Sequence, residues 1–321
     1  MNQELHLTSP ENKSSTKSNK RLSHGPENVV VGSYTYKEIR GSSAYVDKTM
    51  LIKDFVDSSD KVLLITCPRR FGKSSNMDMI KTFLQMKVDA SGNQITDLVN
   101  NENYKIFKEE INNKGLKIME DNSFVNAHFA NHPVIFVNFK DTGKGKIVNV
   151  EDVENRIKIA ISDAFMEHNY MKNVFRKIIN SGNEDDKEDA ENYLKTFRRI
   201  CDMNGVNATH LDIQYSLTFL CEILYNHFGK QVYVLMDEYD APTQYAIWNK
   251  KIDVEEILNY VDGILWSVFK DNKYLEKGLM TGVSSLFRGS HCFSLNNVSE
   301  YKYLFDPEFS KYYGFTEDEI I

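Results

Sequence analysis

The segment 63–74, LLITCPRRFGKS, constrains the fold of this chain more than any other feature. Its apolar run predicts a buried strand, and Gly-Lys-Ser at its end predicts a tight loop that opens into a helix. Backbone N–H groups at such a helix N-terminus bind phosphate oxygens, because the helix dipole favours negative charge there. The segment is therefore typical of a P-loop, and it predicts a nucleoside triphosphate as the ligand.

The residue types of this loop fit phosphate chemistry. We expect Lys73 to reach the β- and γ-phosphates and the Ser74 hydroxyl to bind Mg²⁺. Gly72 lets the backbone approach the phosphates without a Cβ in the way. The residues predicted to contact the nucleotide are Arg69, Arg70, Phe71, Gly72, Lys73, Ser74 and Ser75.

The loop departs from the usual pattern at Cys67, and alternatives to a phosphate-binding role remain open. The usual pattern begins with Gly where this chain has Cys67, but Pro68 favours an extended backbone before it, so Gly is not required there. A basic turn before an ordinary amphipathic helix is the alternative for the whole loop. Arg69 and Arg70 either add positive charge near the phosphates or pair with acids on neighbouring loops. If the Cys67 thiol is exposed, its oxidation would alter nucleotide binding.

A second motif lies far downstream at 231–242, QVYVLMDEYDAP. Its apolar residues predict a buried parallel strand, and ligands of parallel sheets bind beyond the C-terminal ends of the strands. We expect Asp237 to bind Mg²⁺ as a Walker-B aspartate and Glu238 to polarise the attacking water. The alternative is a strand that ends in two solvated acids. Asp240 either helps to hold the site or caps the helix after Pro242.

A third buried strand is predicted at 278–283, GLMTGV. Its C-terminal end would lie beside the γ-phosphate, so Thr281 or Ser284 would occupy the position at which a polar side chain detects that phosphate. Arg288 follows on the next loop and is predicted to reach the γ-phosphate within the chain or from a neighbouring copy; an ordinary surface arginine is the alternative. The predicted catalytic residues are Lys73, Glu238, Thr281 and Arg288.

Six short motifs occur in a fixed order: YVDKT (45–49), PRRFGKS (68–74), DEYDAP (237–242), TGV (281–283), LNN (295–297) and YGFTEDE (313–319). Over about residues 28–321 the chain resembles the AAA-ATPase-like domain family, P-loop proteins common in bacteria and their mobile elements. The resemblance implies the additional-strand class of P-loop ATPases, with ATP and Mg²⁺ as cofactors and a catalytic Glu after the Walker-B Asp. It does not establish a hexamer, although an oligomer is compatible with it.

Longer members of this family usually continue into a C-terminal domain similar to PD-(D/E)XK nucleases. This chain stops at Ile321, directly after the YGFTEDE motif. Either it is an ATPase-only form or it is truncated, and in both cases we expect no nuclease activity from this chain.

Strands separated by helices predict an α/β fold, a three-layer P-loop NTPase sandwich with a mostly parallel central sheet and right-handed crossovers. Residues 1–27, rich in Ser, Asn and Lys, are predicted to form a disordered tail. The domain would span 28–321, with helical insertions at about 87–130 and 170–215.

The segment before the first strand also has a candidate role. In P-loop folds such a segment often packs beside the adenine, so Tyr45 and Lys48 are candidate contacts of the base or ribose. Helix capping and local packing are the alternative for both residues. Further elements predicted from the apolar pattern are a strand at 133–139 and helices at 75–86 and 255–270.

The composition limits the functions and cellular locations that this chain can have. The net charge of −7 speaks against a surface that coats nucleic acid, although a local basic groove is compatible with it. No apolar run approaches membrane-spanning length, and the N-terminus lacks the pattern of a secretory signal. The four Cys lie far apart without a C-x-x-C pair, which suits reduced thiols and offers no zinc site. We expect a cytoplasmic protein, with the nucleus as the alternative.

The residues leave three functions open. ATP binding with hydrolysis is favoured, because a protein that only binds the nucleotide would not need Glu238. The alternatives are a nucleotide-gated regulatory or interaction protein with little turnover, and an ATPase from a mobile element that acts on nucleic acid. The expected partners are ATP and an unidentified protein or nucleic acid, with no membrane.

Overall fold

A computed structural model gives the fold of residues 35–110, 115–143, 145, 147–285 and 297–320. Its strands are β1 (Val62–Thr66), β2 (Lys87–Val88), β3 (Gln94–Ile95), β4 (Val134–Asn138), β5 (Val232–Asp237), β6 (Leu275–Gly282) and β7 (Val298–Lys302). Its α-helices are α1 (Tyr36–Arg40), α2 (Met50–Asp57), α3 (Lys73–Leu84), α4 (Glu102–Lys108), α5 (Asn122–His128), α6 (Val150–Glu167), α7 (Met171–Ser181), α8 (Glu184–Cys201), α9 (His210–Gln214), α10 (Ser216–Phe228), α11 (Ala241–Trp248), α12 (Val254–Phe269) and α13 (Pro307–Ser310). Short 3₁₀ helices cover Lys117–Glu120, Asp202–Gly205 and Glu317–Glu319.

A five-stranded sheet, in the order β4-β5-β6-β1-β7, forms the centre of the protein. All of its strand pairs are parallel. The carboxyl ends of parallel strands lie at one edge of a sheet, so the residues that follow β1, β5 and β6 are brought together there. The strands β2 and β3 form a separate antiparallel hairpin.

Side chains of the central strands alternate between two cores. On β1, Leu63 and Ile65 pack into one core, while Val62 and Leu64 pack into the other. All residues of β1 are buried, as expected for a strand covered on both faces. The sequence-based expectation of an α/β fold with a parallel central sheet is thus confirmed.

Each core lies between one face of the sheet and a set of helices. Helices α6 to α12 supply the apolar side chains of one core, and helices α1 to α5 with α13 supply those of the other. The ring of Phe83 on α3 is fully buried in the second core, with its centroid 4.9 Å from that of Phe129 and 5.2 Å from that of Phe107. The helix that follows the Gly-Lys-Ser segment is therefore anchored by aromatic packing.

Most predicted elements are present, with shifted ends. The helix predicted at 75–86 begins two residues earlier, at Lys73, and the strand predicted at 278–283 begins earlier, at Leu275. The strand β7 was not predicted at all. The segment 87–130 contains β2, β3, α4 and α5, and 170–215 contains α7, α8 and α9; that these segments are insertions stays a prediction. The tail predicted at 1–27 lies outside the described residues.

Removing the Phe83 ring should destabilise the protein strongly. We expect Phe83→Ala to lower the free energy of unfolding by about 3–5 kcal/mol, because the lost ring leaves a cavity among other aromatic rings. Urea unfolding followed by circular dichroism measures this loss. The exposed Phe305 is the matched control, and its replacement by Ala should change stability by at most about 0.5 kcal/mol. Similar losses for the two variants would contradict the packing described.

Candidate functional site

The loop between β1 and α3 has the backbone that its sequence predicts. Gly72 precedes α3 with a φ of 84°, a left-handed conformation that glycine adopts without strain. Arg70 also has a positive φ, of 70°. Cys67 is not among the residues with positive φ, which agrees with the extended backbone expected before Pro68. The N–H groups of the first turn of α3 therefore begin directly after the loop.

Lys73 places its ammonium group inside this loop. The side chain is almost fully buried, and its Nζ donates hydrogen bonds to the carbonyl oxygens of Cys67 at 3.3 Å and Pro68 at 3.2 Å. The same Nζ lies 3.6 Å from Oε1 of Glu238. The loop thus surrounds a positive charge next to a helix N-terminus, an arrangement that attracts an anion.

Asp237 at the end of β5 connects three elements. It is fully buried, and its Oδ2 accepts hydrogen bonds from the hydroxyl of Ser74 at 2.6 Å and the amide of Asn138 at 3.1 Å. Its Oδ1 accepts a hydrogen bond of 2.6 Å from the hydroxyl of Thr281. The two predicted motifs, 163 residues apart, therefore meet through a direct hydrogen bond.

Glu238 directly follows β5 in a strained backbone conformation. Its φ of 54° is left-handed, which costs about 1–2 kcal/mol for a residue with a side chain. Burial raises the pKa of its carboxyl group above the usual range; the charges of Asp237 and Asp240 act in the same direction, while the Lys73 ammonium opposes them. A carboxylate with a raised pKa is a stronger base.

Asp240 joins the loop after β5 to the loop after β6. Its Oδ2 accepts hydrogen bonds from the backbone N–H groups of Val283 at 3.1 Å and Ser284 at 2.9 Å, and from the Ser284 hydroxyl at 2.9 Å. Its side chain makes no capping bond to α11. The structure therefore shows a contact between the two loops and no capping bond from this side chain, and that Asp240 helps to hold the site stays a prediction. Thr281, rather than Ser284, is the residue that reaches Asp237.

A cleft of about 370 Å³ opens beside Glu238. Arg69 and Lys140 contribute charged side chains to its wall, and the indole of Trp248, 83% exposed, contributes an aromatic ring. Glu238 lines this cleft, and its side chain is 23% exposed to solvent.

The structure also shows site residues that sequence reasoning missed. Asn138 ends β4 directly opposite Asp237 in the sheet register, and its polar side chain at a strand end was the available signal. Near the C-terminus, the N–H of Gly314 donates to the carbonyl of Phe71, and the amide of Asn76 donates to the carbonyl of Tyr312. The YGFTEDE motif therefore packs against the loop, a contact that the sequence pattern could not reveal.

The other predicted site residues have mixed positions. Arg69 and Arg70 are exposed on the loop, and Ser75 is half-buried in the first turn of α3. Lys48 is bound elsewhere: its Nζ lies 2.7 Å from Oε1 of Glu319 and donates to the carbonyl of Lys311.

Tyr45 also has its contacts away from the loop. Its hydroxyl lies 3.0 Å from that of Tyr36, and the Arg40 guanidinium lies 4.8 Å from its ring centroid. These contacts are the local packing that stood as the alternative for Tyr45 and Lys48, and a role in base or ribose binding stays a prediction. Arg288 lies outside the described residues.

The donor set at Asp237 fits Mg²⁺. This ion prefers hard oxygen ligands and is usually bound through one or two protein oxygens together with substrate phosphates. The Ser74 hydroxyl and the Asp237 carboxylate supply two such oxygens next to the loop. Among the described residues there is no group of three or more His, Cys, Asp or Glu that could hold a metal without such a substrate.

Comparison with family models gives a match over residues 30–290. The matching model is AAA-ATPase-like, described as a predicted AAA-ATPase. The chain belongs to the AAA-ATPase-like family. The resemblance inferred from the six motifs is thus confirmed, and the AAA-ATPase-like description supports ATP use at the level of the family. Neither the search of curated proteins nor the search of solved structures found a match.

The helices were also compared with the requirements of a membrane span. Within the described ranges of this AAA-ATPase-like protein, every helix is too short or too polar to cross a bilayer.

The Cys67 thiol should be unreactive in the folded protein. It is 2% exposed, and burial raises its pKa to about 12, so it does not meet the condition of exposure on which oxidation sensitivity depended. We expect iodoacetamide at about pH 8 to leave Cys67 unlabelled in the native protein and to label it after denaturation. Mass spectrometry of tryptic peptides measures the labelling. Rapid native labelling of Cys67 that ATP prevents would contradict this expectation.

Proposed function

We propose that this protein is a Mg²⁺-dependent ATPase of the P-loop type. One observation carries the proposal: the hydroxyls of Ser74 and Thr281 both bind the buried Asp237 carboxylate, beside the Lys73 ammonium and Glu238. This arrangement joins a phosphate-binding loop to a metal-binding carboxylate and a base. The family description, a predicted AAA-ATPase, supports the same activity.

The order of the strands supports assignment to the additional-strand class of P-loop ATPases. The strand β6 lies between β1, which leads into the loop, and β5, which ends at Asp237. It is therefore the additional strand, and Thr281 near its end is the candidate sensor of the γ-phosphate. In this assignment the loop is the Walker A motif, Asp237 belongs to the Walker B motif, and residues 28–321 form the ATPase domain.

Each residue of the site has a chemical task in hydrolysis. The loop backbone and Lys73 bind the β- and γ-phosphates, with Arg69 and Arg70 adding positive charge nearby. Ser74 and Asp237 would hold Mg²⁺, and the bound ion would neutralise charge that develops on the phosphate oxygens. Glu238 accepts a proton from a water molecule, and the water oxygen forms a bond to the γ-phosphorus. The bond between that phosphorus and the β–γ bridging oxygen breaks at the same centre, and ADP leaves with that oxygen.

Two substitutions separate binding from hydrolysis. We expect Lys73→Ala to lose ATP binding and turnover together, because it removes the charge that binds phosphate. Glu238→Gln should keep ATP binding and lower kcat by about 10²–10⁴-fold, the usual contribution of a general base. Phosphate release with Mg²⁺ or EDTA measures turnover, and calorimetry measures binding.

Glu276→Gln is the matched control. Glu276 lies near the start of β6, at the opposite end of that strand from Thr281, and its substitution should leave both quantities unchanged. Normal turnover by Glu238→Gln would overturn the role given to this residue. ATP binding by the wild-type protein without turnover would instead identify a nucleotide-gated interaction protein, and stimulation of hydrolysis by single- or double-stranded DNA would identify nucleic acid as the partner.

A further inference from the structure

The loop that carries Glu238 is attached to the loop after β6 at several points. Every polar atom of Ser284 takes part: its N–H and hydroxyl bind Asp240, its carbonyl accepts from the Tyr239 hydroxyl, and its Oγ accepts from the Gln244 amide. The strand pairing also continues past Glu238, because the N–H of Tyr239 donates to the carbonyl of Thr281. Asp237 and Tyr239, the residues on either side of Glu238 in the sequence, are thus both hydrogen-bonded to Thr281 of β6.

The two loops approach each other too closely for any residue except glycine at position 282. A Cβ on Gly282 would lie 2.7 Å from Oδ1 of Asp240 and 2.7 Å from Cε1 of Tyr239. Distances under 3.0 Å are essentially never seen for a Cβ. The ring of Tyr239 and the carboxylate of Asp240 are therefore in direct contact with the backbone of β6.

Burial of the Asp240 carboxylate destabilises the folded state unless hydrogen bonds compensate for the loss of water. Asp240 is 1% exposed, and while Oδ2 accepts three hydrogen bonds, Oδ1 has no hydrogen-bond partner among the described residues. A buried polar atom without a partner destabilises the folded state, and such atoms are rare in native structures. Helix capping does not explain this cost, because the side chain makes no bond to the first turn of α11.

We propose that Asp240 is a positioning residue for Glu238. By binding Val283 and Ser284, Asp240 holds the loop after β5 against β6 and keeps Glu238 in its strained, left-handed conformation beside Lys73. Asp240 acts through hydrogen-bond geometry at Oδ2, not through contact with the nucleotide. This inference rests on the proposed function, in which Glu238 is the general base.

Two substitutions of Asp240 test the geometry. Asp240→Ala removes the acceptor, so kcat should fall by about 10- to 100-fold, as expected when a catalytic group is misplaced, while the Kd of MgATP stays within about twofold. Asp240→Asn retains a carbonyl oxygen that can accept the same three hydrogen bonds, with its NH₂ in place of the unpartnered Oδ1. It should therefore keep kcat within about threefold of the wild type.

The double variant shows whether Asp240 acts through Glu238. In the Glu238→Gln background, Asp240→Ala should lower the residual single-turnover rate no further, because the group it positions is already absent. A structural role unrelated to Glu238 would give the same fold-loss in both backgrounds. The full chain is used throughout, and thermal melting confirms that each variant is folded.

Further variants provide the controls. Ser284→Ala removes one of the three donors to Oδ2 of Asp240, and it provides the test if the Asp240→Ala variant does not fold. It should lower kcat by about threefold without changing the Kd. Asp253→Ala is the matched control, because Asp253 also accepts hydrogen bonds from two backbone N–H groups, at the start of α12 and away from the site. It should leave kcat and Kd unchanged.

The outcomes separate this inference from the proposed function. An active wild type whose kcat survives both Asp240→Ala and Ser284→Ala would overturn the inference alone. Equal losses for Asp240→Asn and Asp240→Ala would assign the effect to charge and would likewise overturn it. A wild-type protein without any turnover would instead contradict the proposed function.

Discussion

The buried carboxylate of Asp237 is the interaction on which the rest of the site depends. An ionised group away from water must be compensated by hydrogen bonds or by an opposite charge. Here three donors compensate it, from the first turn of α3, the end of β4 and the end of β6. Hydrogen bonds to charged groups contribute about 1.5–3 kcal/mol each, so together they bind the loop helix and two strands to one point. A metal ion that binds at this carboxylate would act on all three elements.

The parallel sheet explains why residues so distant in sequence converge there. The strands β1, β5 and β6 all end at one edge, and β6 lies between the other two, so the loop, the acidic pair and Thr281 become neighbours. The C-terminal segment then packs on the same loop through Gly314 and Tyr312. A shift of the loop on nucleotide binding would therefore act directly on the contacts of Gly314 and Tyr312 and on those of the loops after β5 and β6.

The sequence predicted the fold best where a short motif requires particular secondary structure on either side of it. The Gly-Lys-Ser loop needs a strand before it and a helix after it, and both are present. The strand β7 escaped prediction because its residues, VSEYK, are half-buried and show no continuous apolar run. Asn138 and Asp240 could be placed only once the sheet register and the approach of two loops were known, since neither follows from spacing along the chain. The ion pair between Lys48 and Glu319 could not be read from the sequence either, and a contact of Lys48 with the base or ribose stays a prediction.

The most direct test of this account is the dependence of ATP affinity on Mg²⁺ in the wild type and in Asp237→Asn. Titration calorimetry with Mg²⁺ and with EDTA gives the four dissociation constants, and thermal melting shows that the variant is folded. We expect Mg²⁺ to tighten ATP binding to the wild type by at least about tenfold, or 1.4 kcal/mol, and to have little effect on the variant. An equal effect of Mg²⁺ on both proteins would contradict the central position given to Asp237.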